Sequence, residues 1–210
     1  MKVLLINGSP HEKGCTYTAL REVEATLNRE EIETSHFWIG NKPVSGCLAC
    51  QSCGKLGRCA IDDKVNKLLD LAGCADGFVF GAPVHWAGVN GSFTSLLDRL
   101  FYADLKSGHS VFYLKPAAGI VSARRAGTTA ALDQLMKYAS HLSMPIITSS
   151  YWNMVHGNRP EEVLQDLEGM QTMRDLARNM AFFLKCREAG AEKGIPLPEL
   201  EPHVATNFIR

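Results

Sequence analysis

The sequence predicts a doubly wound α/β fold, with a parallel sheet covered by helices on both faces. Short apolar runs alternate along the chain with longer segments whose apolar residues recur at helical spacing, and this alternation is typical of βαβ units. The first run, residues 3–6, is apolar at every position, as expected for a strand buried on both faces. With 210 residues and a 46% hydrophobic composition, the chain is long enough for one domain with a substantial core.

Five strands and five main helices follow from this pattern in chain order. The strands are predicted at residues 3–6, 32–39, 78–80, 117–121 and 145–148. Four helices are predicted at residues 16–28, 92–102, 128–142 and about 161–189, and another is predicted to carry Val65, Leu68, Leu69 and Ala72. Asp62 and Asp63 precede the second helix and are suitable capping residues. We expect residues 1–190 to form the domain and residues 191–210 an extended tail, because Pro196, Pro198 and Pro202 disfavour a helix there.

Charge and hydropathy exclude several classes of partner. The 22 basic and 22 acidic residues cancel, so no general attraction to nucleic acid or to an anionic membrane is expected. The apolar run at residues 3–6 is too short for the core of a signal peptide, and no later segment approaches the length of a membrane span. We therefore expect a cytoplasmic protein.

A cysteine-rich loop at residues 46–60 contains four of the seven cysteines, in the segment CLACQSCGKLGRC. They are Cys47, Cys50, Cys53 and Cys59. In a reducing compartment, an odd number of mostly clustered cysteines favours metal ligands or redox groups over a disulfide framework. The close C-x2-C-x2-C-x5-C spacing resembles runs that bind iron–sulfur clusters, whereas zinc more usually takes two separated pairs. A loop without metal is the third alternative. Cys74 and Cys186 are expected to be buried thiols.

Three loops follow the first, third and fourth predicted strands, and in a doubly wound sheet ligands bind beyond these carboxyl ends. The first loop, NGSPHEKGCTYT from Asn7, opens a helix whose free amides and dipole favour a phosphate. Ser9 and Thr16 add hydroxyl groups to it. The loop is neither a Walker sequence nor G-x-G-x-x-G. A tight turn with a helix cap is the alternative interpretation.

The second and third loops favour a planar ring and negative charge. GAPVHWAGVNG, from Gly81, is unusually apolar for a connection, and His85 and Trp86 can pack beside a flat heterocycle. The arginines of SARRAG, from Ser122, can meet negative charge on a cofactor. The alternatives are a tryptophan folded into the core and a solvated turn. Together the three loops indicate a mononucleotide such as FMN.

These segments, together with MPIITSSYWNMVHG near residue 150, resemble the NADPH-dependent FMN reductase family and specifically its iron–sulfur flavoprotein branch. The resemblance spans nearly the whole chain. It implies a flavodoxin-like fold, with a five-stranded parallel sheet in the order 2-1-3-4-5. It also implies a set of FMN contacts in the three loops. The candidate FMN-binding residues are Ser9, Pro10, Lys13, Gly14, Cys15, Thr16, Pro83, Val84, His85, Trp86, Ser122, Ala123, Arg124, Arg125 and Gly127.

The resemblance further implies that the four clustered cysteines bind a [4Fe–4S] cluster, and that the molecule is a homodimer or homotetramer. Two residues depart from the family pattern. Cys15 stands where the family often has Asn, and His85 where many members have Tyr, so the side-chain roles of both stay open. The backbone contacts of these two positions are expected to be retained.

The expected function is electron transfer through FMN and the cluster to a small-molecule acceptor, with NAD(P)H or a ferredoxin-like protein as the donor. The cofactor carries this chemistry, and hydride transfer to the flavin ring needs no protein acid or base, so no catalytic residue is predicted. Asp98 and Arg99 are expected to be surface or ion-paired groups. Two alternatives stay open. One is an NAD(P)H-dependent flavin, quinone or azo-compound reductase without a cluster, and the other is a zinc-stabilised nucleotide-binding module.

Overall fold

A computed structural model of the chain describes residues 1–108, 111–201, 204, 206 and 208. Within these residues the strands are β1 (Lys2–Asn7), β2 (Glu33–Trp38), β3 (Gly77–His85), β4 (Gly88–Val89), β5 (Ala117–Ala123) and β6 (Met154–His156). The helices are α1 (Cys15–Arg29), α2 (Cys53–Leu56), α3 (Lys64–Gly73), α4 (Gly91–Ser107), α5 (Thr128–His141), α6 (Pro160–Val163) and α7 (Leu167–Glu192).

Five of the strands form a parallel sheet in the order β2-β1-β3-β5-β6. This is the predicted 2-1-3-4-5 order once the short β4 is set aside, and the predicted fold class is confirmed. β4 pairs antiparallel with the end of β3, with Val84 opposite Val89. The order reverses beside β1, so the carboxyl ends of β1 and β3 flank the point where such sheets bind ligands.

The sheet is buried on both faces by two separate layers of helices. In β1, Leu4 and Ile6 join one hydrophobic cluster with α3, α4 and α5. Val3 and Leu5 join the other cluster with α1 and α7. Successive strand side chains point to opposite faces, so an uninterrupted apolar run is what a sheet between two helical layers requires.

The prediction of the fifth strand at residues 145–148 is wrong, because the edge of the sheet is formed by β6. Ile146 makes only an isolated bridge to Ala117. Residues 149–152 then leave the sheet, and the chain returns where Val121 donates its N–H to the Asn153 carbonyl at 3.0 Å. β6 completes the edge of the sheet, and its central residue Val155 is fully buried.

The long helix predicted at residues 161–189 is divided in two. Asp166 ends the turn after α6 and caps α7, accepting a hydrogen bond from the Gly169 N–H at 3.0 Å. Residues 195–200 of the predicted tail lie outside helices and strands, and the Pro198 carbonyl accepts a hydrogen bond from the Tyr113 hydroxyl at 3.0 Å. Pro202 lies outside the described residues. No helix in the described part of the chain has the length and apolar character needed to cross a membrane.

Candidate functional site

The three candidate loops meet at the carboxyl edge of the sheet. The Gly8 N–H donates to the Gly81 carbonyl at 2.8 Å and joins the first loop to β3. The hydroxyls of Thr16 and Ser122, both buried, lie 2.8 Å apart and join the first loop to the third. The second and third loops touch where a Cβ on Gly127 would lie only 2.6 Å from the Ala87 Cα.

The first loop holds its own backbone with side chains and leaves the start of α1 open. Asn7 Oδ1 accepts from the Ser9 N–H at 3.0 Å, and Ser9 Oγ accepts from the His11 N–H at 3.1 Å. Trp38 Nε1 donates to the Ser9 carbonyl at 2.8 Å. No side chain caps α1, whose N-cap is Gly14. The first amides of a helix lack partners within the helix, so this end is suited to an anion.

The predicted first-loop residues differ in accessibility. Ser9 and Thr16 are buried, whereas Lys13 is exposed and Pro10 is half-buried. The Cys15 thiol donates to the Gly157 carbonyl at 3.5 Å. Burial raises the pKa of Cys15 above its ordinary value, and the charge of Glu162 adds to this effect. The Cys15 side chain is therefore a neutral donor to the backbone that follows β6.

The second loop is a tight hairpin between β3 and β4 with its aromatic residue in solvent. Trp86 and Ala87 have φ values of 50° and 59°, a left-handed conformation that costs a non-glycine residue about 1–2 kcal/mol. The Trp86 ring is fully exposed and His85 is exposed. The alternative interpretation, in which Trp86 folds back into the core, is wrong. Pro83 and Val84 are half-buried behind the turn.

The third loop presents its charged residues to solvent. Ser122 and Ala123 end β5 and are buried, while Arg124 and Arg125 are exposed. Gly127 precedes α5 with a φ of 92°. This conformation and the close approach of Ala87 both favour glycine.

A buried acceptor lies beside these loops. Asn90 Nδ2 donates to the Gly8 carbonyl at 2.9 Å, but the buried Asn90 Oδ1 has no hydrogen-bond partner within the described structure. Asn90 also lines a cavity of about 210 Å³ with Gly8, Pro10 and His85. Asn90 was not singled out by the sequence analysis. An unpaired buried acceptor is costly, and this one is available to a donor group on a ligand.

The four clustered cysteines line a second cavity, on the side of α4. Its volume is about 100 Å³, and Arg99 and Tyr102 complete its wall. The cysteines in it are Cys47, Cys50, Cys53 and Cys59. Among the residues that the structure describes, no three His, Cys, Asp or Glu side chains are close enough together to hold one metal ion. All four cysteines of the loop nevertheless border the same cavity.

The backbone of the cysteine loop turns its amides toward the sulfur atoms. Ala49 and Gln51 have φ values of 51° and 57°, and the Ala49 N–H donates to Cys47 Sγ at 3.4 Å. Successive amides in such conformations form concave anion sites that are common around iron–sulfur groups. Hydrogen bonds from Ser52 lower the pKa of Cys50, whereas burial raises the pKa of Cys53.

Arg99 is buried and projects from α4 to Cys59. Its Nε and Nη2 each lie 3.3 Å from Cys59 Sγ. It also donates to both carboxylate oxygens of Asp63 at 2.7 and 3.0 Å, and to the carbonyls of Ser45 and Ile61. Burial pulls the pKa of Arg99 down, but Asp63 and Cys59 together hold that pKa above its ordinary value. The prediction of an ion-paired group is correct for Arg99, while its contact with a cysteine was missed.

Asn66 fixes the backbone of Cys59. Asn66 Oδ1 accepts from the Cys59 N–H and Asn66 Nδ2 donates to the Cys59 carbonyl, both at 3.0 Å. Its side chain is buried in α3. A polar residue between Val65 and Leu68 on a core-facing helix was the available sequence signal for this role.

The other cysteines do not join this cavity. Cys74 and Cys186 are exposed, so the prediction that they are buried thiols is wrong. All seven cysteines lie within the described residues, and none of them forms a disulfide.

A family model described as NADPH-dependent FMN reductase matches residues 1–159 of the chain. An iron–sulfur flavoprotein of Methanocaldococcus jannaschii is 29% identical over 194 residues, which cover 88% of this chain and 98% of that protein. An iron–sulfur flavoprotein of Methanosarcina thermophila is 25% identical over 195 residues, which cover 92% of this chain and all of that protein, 100%.

Solved structures show the same fold at lower sequence identity. RosB with a bound 8-demethyl-8-formylriboflavin-5'-phosphate intermediate superposes with a TM-score of 0.70 at 16% identity, covering 100% of this chain and 94% of that one. A flavodoxin from the domain Archaea superposes with a TM-score of 0.60 at 12% identity, covering 88% of this chain and 99% of that one. At these identities the likeness concerns the fold alone.

Proposed function

The chain belongs to the NADPH-dependent FMN reductase family and is a flavin-dependent oxidoreductase, and we propose that it also holds a [4Fe–4S] cluster and passes electrons to a small acceptor. One observation carries the proposal. Four cysteines line a single cavity in a chain whose full-length relatives are named iron–sulfur flavoproteins.

The three loops at the sheet edge fit FMN. The uncapped start of α1, with the hydroxyls of Ser9 and Thr16 beside it, suits the phosphate. The exposed Trp86 and the unpartnered Asn90 Oδ1 offer a ring face and a hydrogen-bond acceptor. FMN supplies two-electron and one-electron transfer when it is bound, and the loops orient it.

The cysteine loop favours an iron–sulfur cluster over zinc. Zinc sites more usually take two separated cysteine pairs. Here four closely spaced cysteines border one cavity, and four cysteine thiolates are the ligand set of a [4Fe–4S] cluster. Arg99 and Asn66 hold Cys59 at one wall of the cavity, and the amides near Ala49 and Gln51 favour the negative charge of thiolates.

The partners belong to the same proposal. NAD(P)H or a ferredoxin-like protein is the proposed donor, and the open position of His85 and Trp86 gives a small acceptor access to the ring. Formation of a homodimer or homotetramer would cover exposed apolar side chains such as Leu167 and Phe182. The seven free thiols suit a reducing, cytoplasmic location.

The direct test is purification without oxygen, followed by assays of iron, sulfide, zinc and flavin per chain. We expect bound FMN with about four irons and four sulfides. Flavin without iron, bleached rapidly by NADPH, would contradict the cluster and support a cluster-free NAD(P)H-dependent reductase. Zinc without iron would support a zinc-stabilised loop. Absence of flavin would contradict the assignment of the three loops.

The variant Cys53→Ala tests whether the two sites are separate. Cys53 is buried at the start of α2 and lines the cysteine cavity, so its loss is expected to remove the iron while FMN is retained. The matched control is Cys74→Ala, an exposed cysteine outside the cavity, which should keep both. Iron and flavin assays give the result, and simultaneous loss of FMN from Cys53→Ala would show that the sites depend on each other.

A further inference from the structure

Arg99 is a buried guanidinium in direct contact with the sulfur atom of Cys59. Its side chain is 1% exposed, and two of its nitrogens lie 3.3 Å from Cys59 Sγ. A charged group is removed from water only at high cost unless its donors are satisfied. The contact with Cys59 is therefore one of the interactions that allow Arg99 to be buried.

The remaining partners of Arg99 come from both ends of the cysteine loop. Ser45, which precedes the first cysteine, accepts at 3.2 Å through its carbonyl. Ile61 and Asp63, which follow the last cysteine, accept at distances of 2.7 to 3.0 Å. Since Arg99 is anchored in the core helix α4, it clamps the base of the loop and points its N–H groups at Cys59.

We propose that Arg99 is a positioning residue for the cluster, holding Cys59 as the fourth ligand and raising the cluster's reduction potential through N–H···S hydrogen bonds. This inference rests on the proposed function, because the potential is that of the proposed cluster. Reduction adds one negative charge to the cluster, and donors on a ligand sulfur stabilise the reduced form more than the oxidised form. Burial strengthens these hydrogen bonds.

The choice of arginine supports this role. A guanidinium presents its donors as a rigid planar fork, so one side chain can bind the Asp63 carboxylate and the Cys59 sulfur at once. A lysine keeps the charge but lacks the fork. Replacement by lysine therefore separates hydrogen bonding to sulfur from charge alone.

The first test compares Arg99→Lys with Arg58→Lys in the cluster-loaded protein. Arg58 is adjacent to Cys59 in sequence, but it is exposed and pairs with Asp70 at 3.1 Å. In a redox titration followed by absorption, Arg99→Lys is expected to lower the ratio of reduced to oxidised cluster about tenfold at a fixed potential, which corresponds to about 59 mV for a one-electron couple. Arg58→Lys should stay within about twofold of the unsubstituted chain because its exposed charge is screened.

The second test needs no cluster. In iron-free protein, alkylation of individual cysteines by N-ethylmaleimide is followed by mass spectrometry. Lysine keeps a positive charge near Cys59 but no longer covers the sulfur, so Arg99→Lys is expected to accelerate labelling of Cys59 by about fivefold or more through greater access. The rate at the exposed Cys47 should not change. If the protein holds no iron, the proposed function fails, while this measurement still decides whether Arg99 positions Cys59.

A measurement on the unsubstituted chain covers the case in which Arg99→Lys fails to fold. With ¹⁵N-arginine incorporated, the reduced cluster is expected to show hyperfine coupling to an arginine nitrogen, and Arg58→Lys should retain that coupling. Absence of the coupling would overturn the N–H···S contact. An unchanged potential together with unchanged Cys59 labelling in Arg99→Lys would overturn the whole inference.

Discussion

Single polar side chains hold the backbone of both candidate sites. Trp38 Nε1 reaches the Ser9 carbonyl in the first loop, and Asn66 makes a pair of hydrogen bonds to the backbone of Cys59. Leaving a buried donor or acceptor without its partner costs about 1–3 kcal/mol. Trp38 and Asn66 therefore hold the backbone at Ser9 and Cys59 in one conformation.

Gly8 is the residue at which the first loop is most tightly packed. A Cβ on Gly8 would lie 2.3 Å from two atoms of the Phe93 ring, and Phe93 is fully buried in α4. Gly8→Ala is expected to lower the free energy of unfolding by about 1–3 kcal/mol through overpacking, and to weaken FMN binding by displacing the loop. Urea unfolding of the flavin-free protein and a flavin titration measure the two effects.

The control for this substitution is Gly73→Ala, at the last residue of α3. A Cβ there would have no neighbour within 4 Å, so alanine should be neutral or stabilise by up to about 1 kcal/mol. Equal stability of Gly8→Ala and the unsubstituted chain would contradict the packing argument.

Among the elements, α4 connects the core with both candidate sites. Its start carries Phe93 against the first loop, and its middle carries Arg99 to the cysteine loop. Tyr138 in α5 donates a hydrogen bond to Asp98 of α4 at 2.5 Å. The two helices are thus joined by a polar contact beside the stacked rings of Phe101 and Tyr138.

This helix contact is expected to fail at alkaline pH. Burial, and then Asp98, raise the pKa of Tyr138 above its ordinary value of about 10. The folded state therefore favours the neutral phenol, and its contribution is complete below about pH 10 and is lost as the pH rises above that value. The difference in free energy of unfolding between the unsubstituted chain and Tyr138→Phe should fall by up to about 1 kcal/mol from about pH 9 to pH 11. This is less than one fully buried titrating group would give, because the pair is partly exposed to solvent.

Urea unfolding at the two pH values measures this difference. Tyr151→Phe, at an exposed tyrosine, is the control and should show no such change relative to the unsubstituted chain. A gap between the unsubstituted chain and Tyr138→Phe that stays constant with pH would argue against the raised pKa.

In the whole molecule, the side chains that support the two candidate sites come together at the start of α3. Lys64 donates to the Trp38 carbonyl at 3.2 Å and lies 5.4 Å from the centre of the Trp38 ring. Its neighbour Asp63 caps α3 and pairs with Arg99. The first loop and the cysteine loop therefore share the start of α3 as a common support.

Flavin binding should stabilise the whole fold, and the phosphate should carry much of the effect. FMN at about 100 times its dissociation constant is expected to stabilise the flavin-free protein by about 2.7 kcal/mol, which raises the Tm by several degrees. Riboflavin lacks the phosphate that the start of α1 is suited to bind, so at the same concentration its Tm shift should be less than half as large. Thermal unfolding measures both, and equal shifts would contradict a phosphate site in the first loop.

Much of the fold and the location of the site could be predicted from local pattern. The alternation of strands and helices, the parallel sheet and the position of the three loops follow from apolar periodicity and from the residues at strand ends, which are properties of short segments. The order of the strands came from the resemblance to a known family. The grouping of four cysteines was visible in their spacing. Asp63 was also recognised as a cap, because capping depends on neighbours in sequence.

What required the three-dimensional structure was every contact between distant segments. Arg99 meets Cys59 across 40 residues, and no periodicity in α4 distinguishes it from a surface arginine. The edge of the sheet is formed by Met154–His156. The apolar run at residues 145–148 makes only an isolated bridge to β5, and local hydrophobicity does not distinguish these two outcomes. These contacts depend on tertiary packing. The free energy lost when a buried polar group or a sheet edge has no partner is set by residues that are distant in sequence.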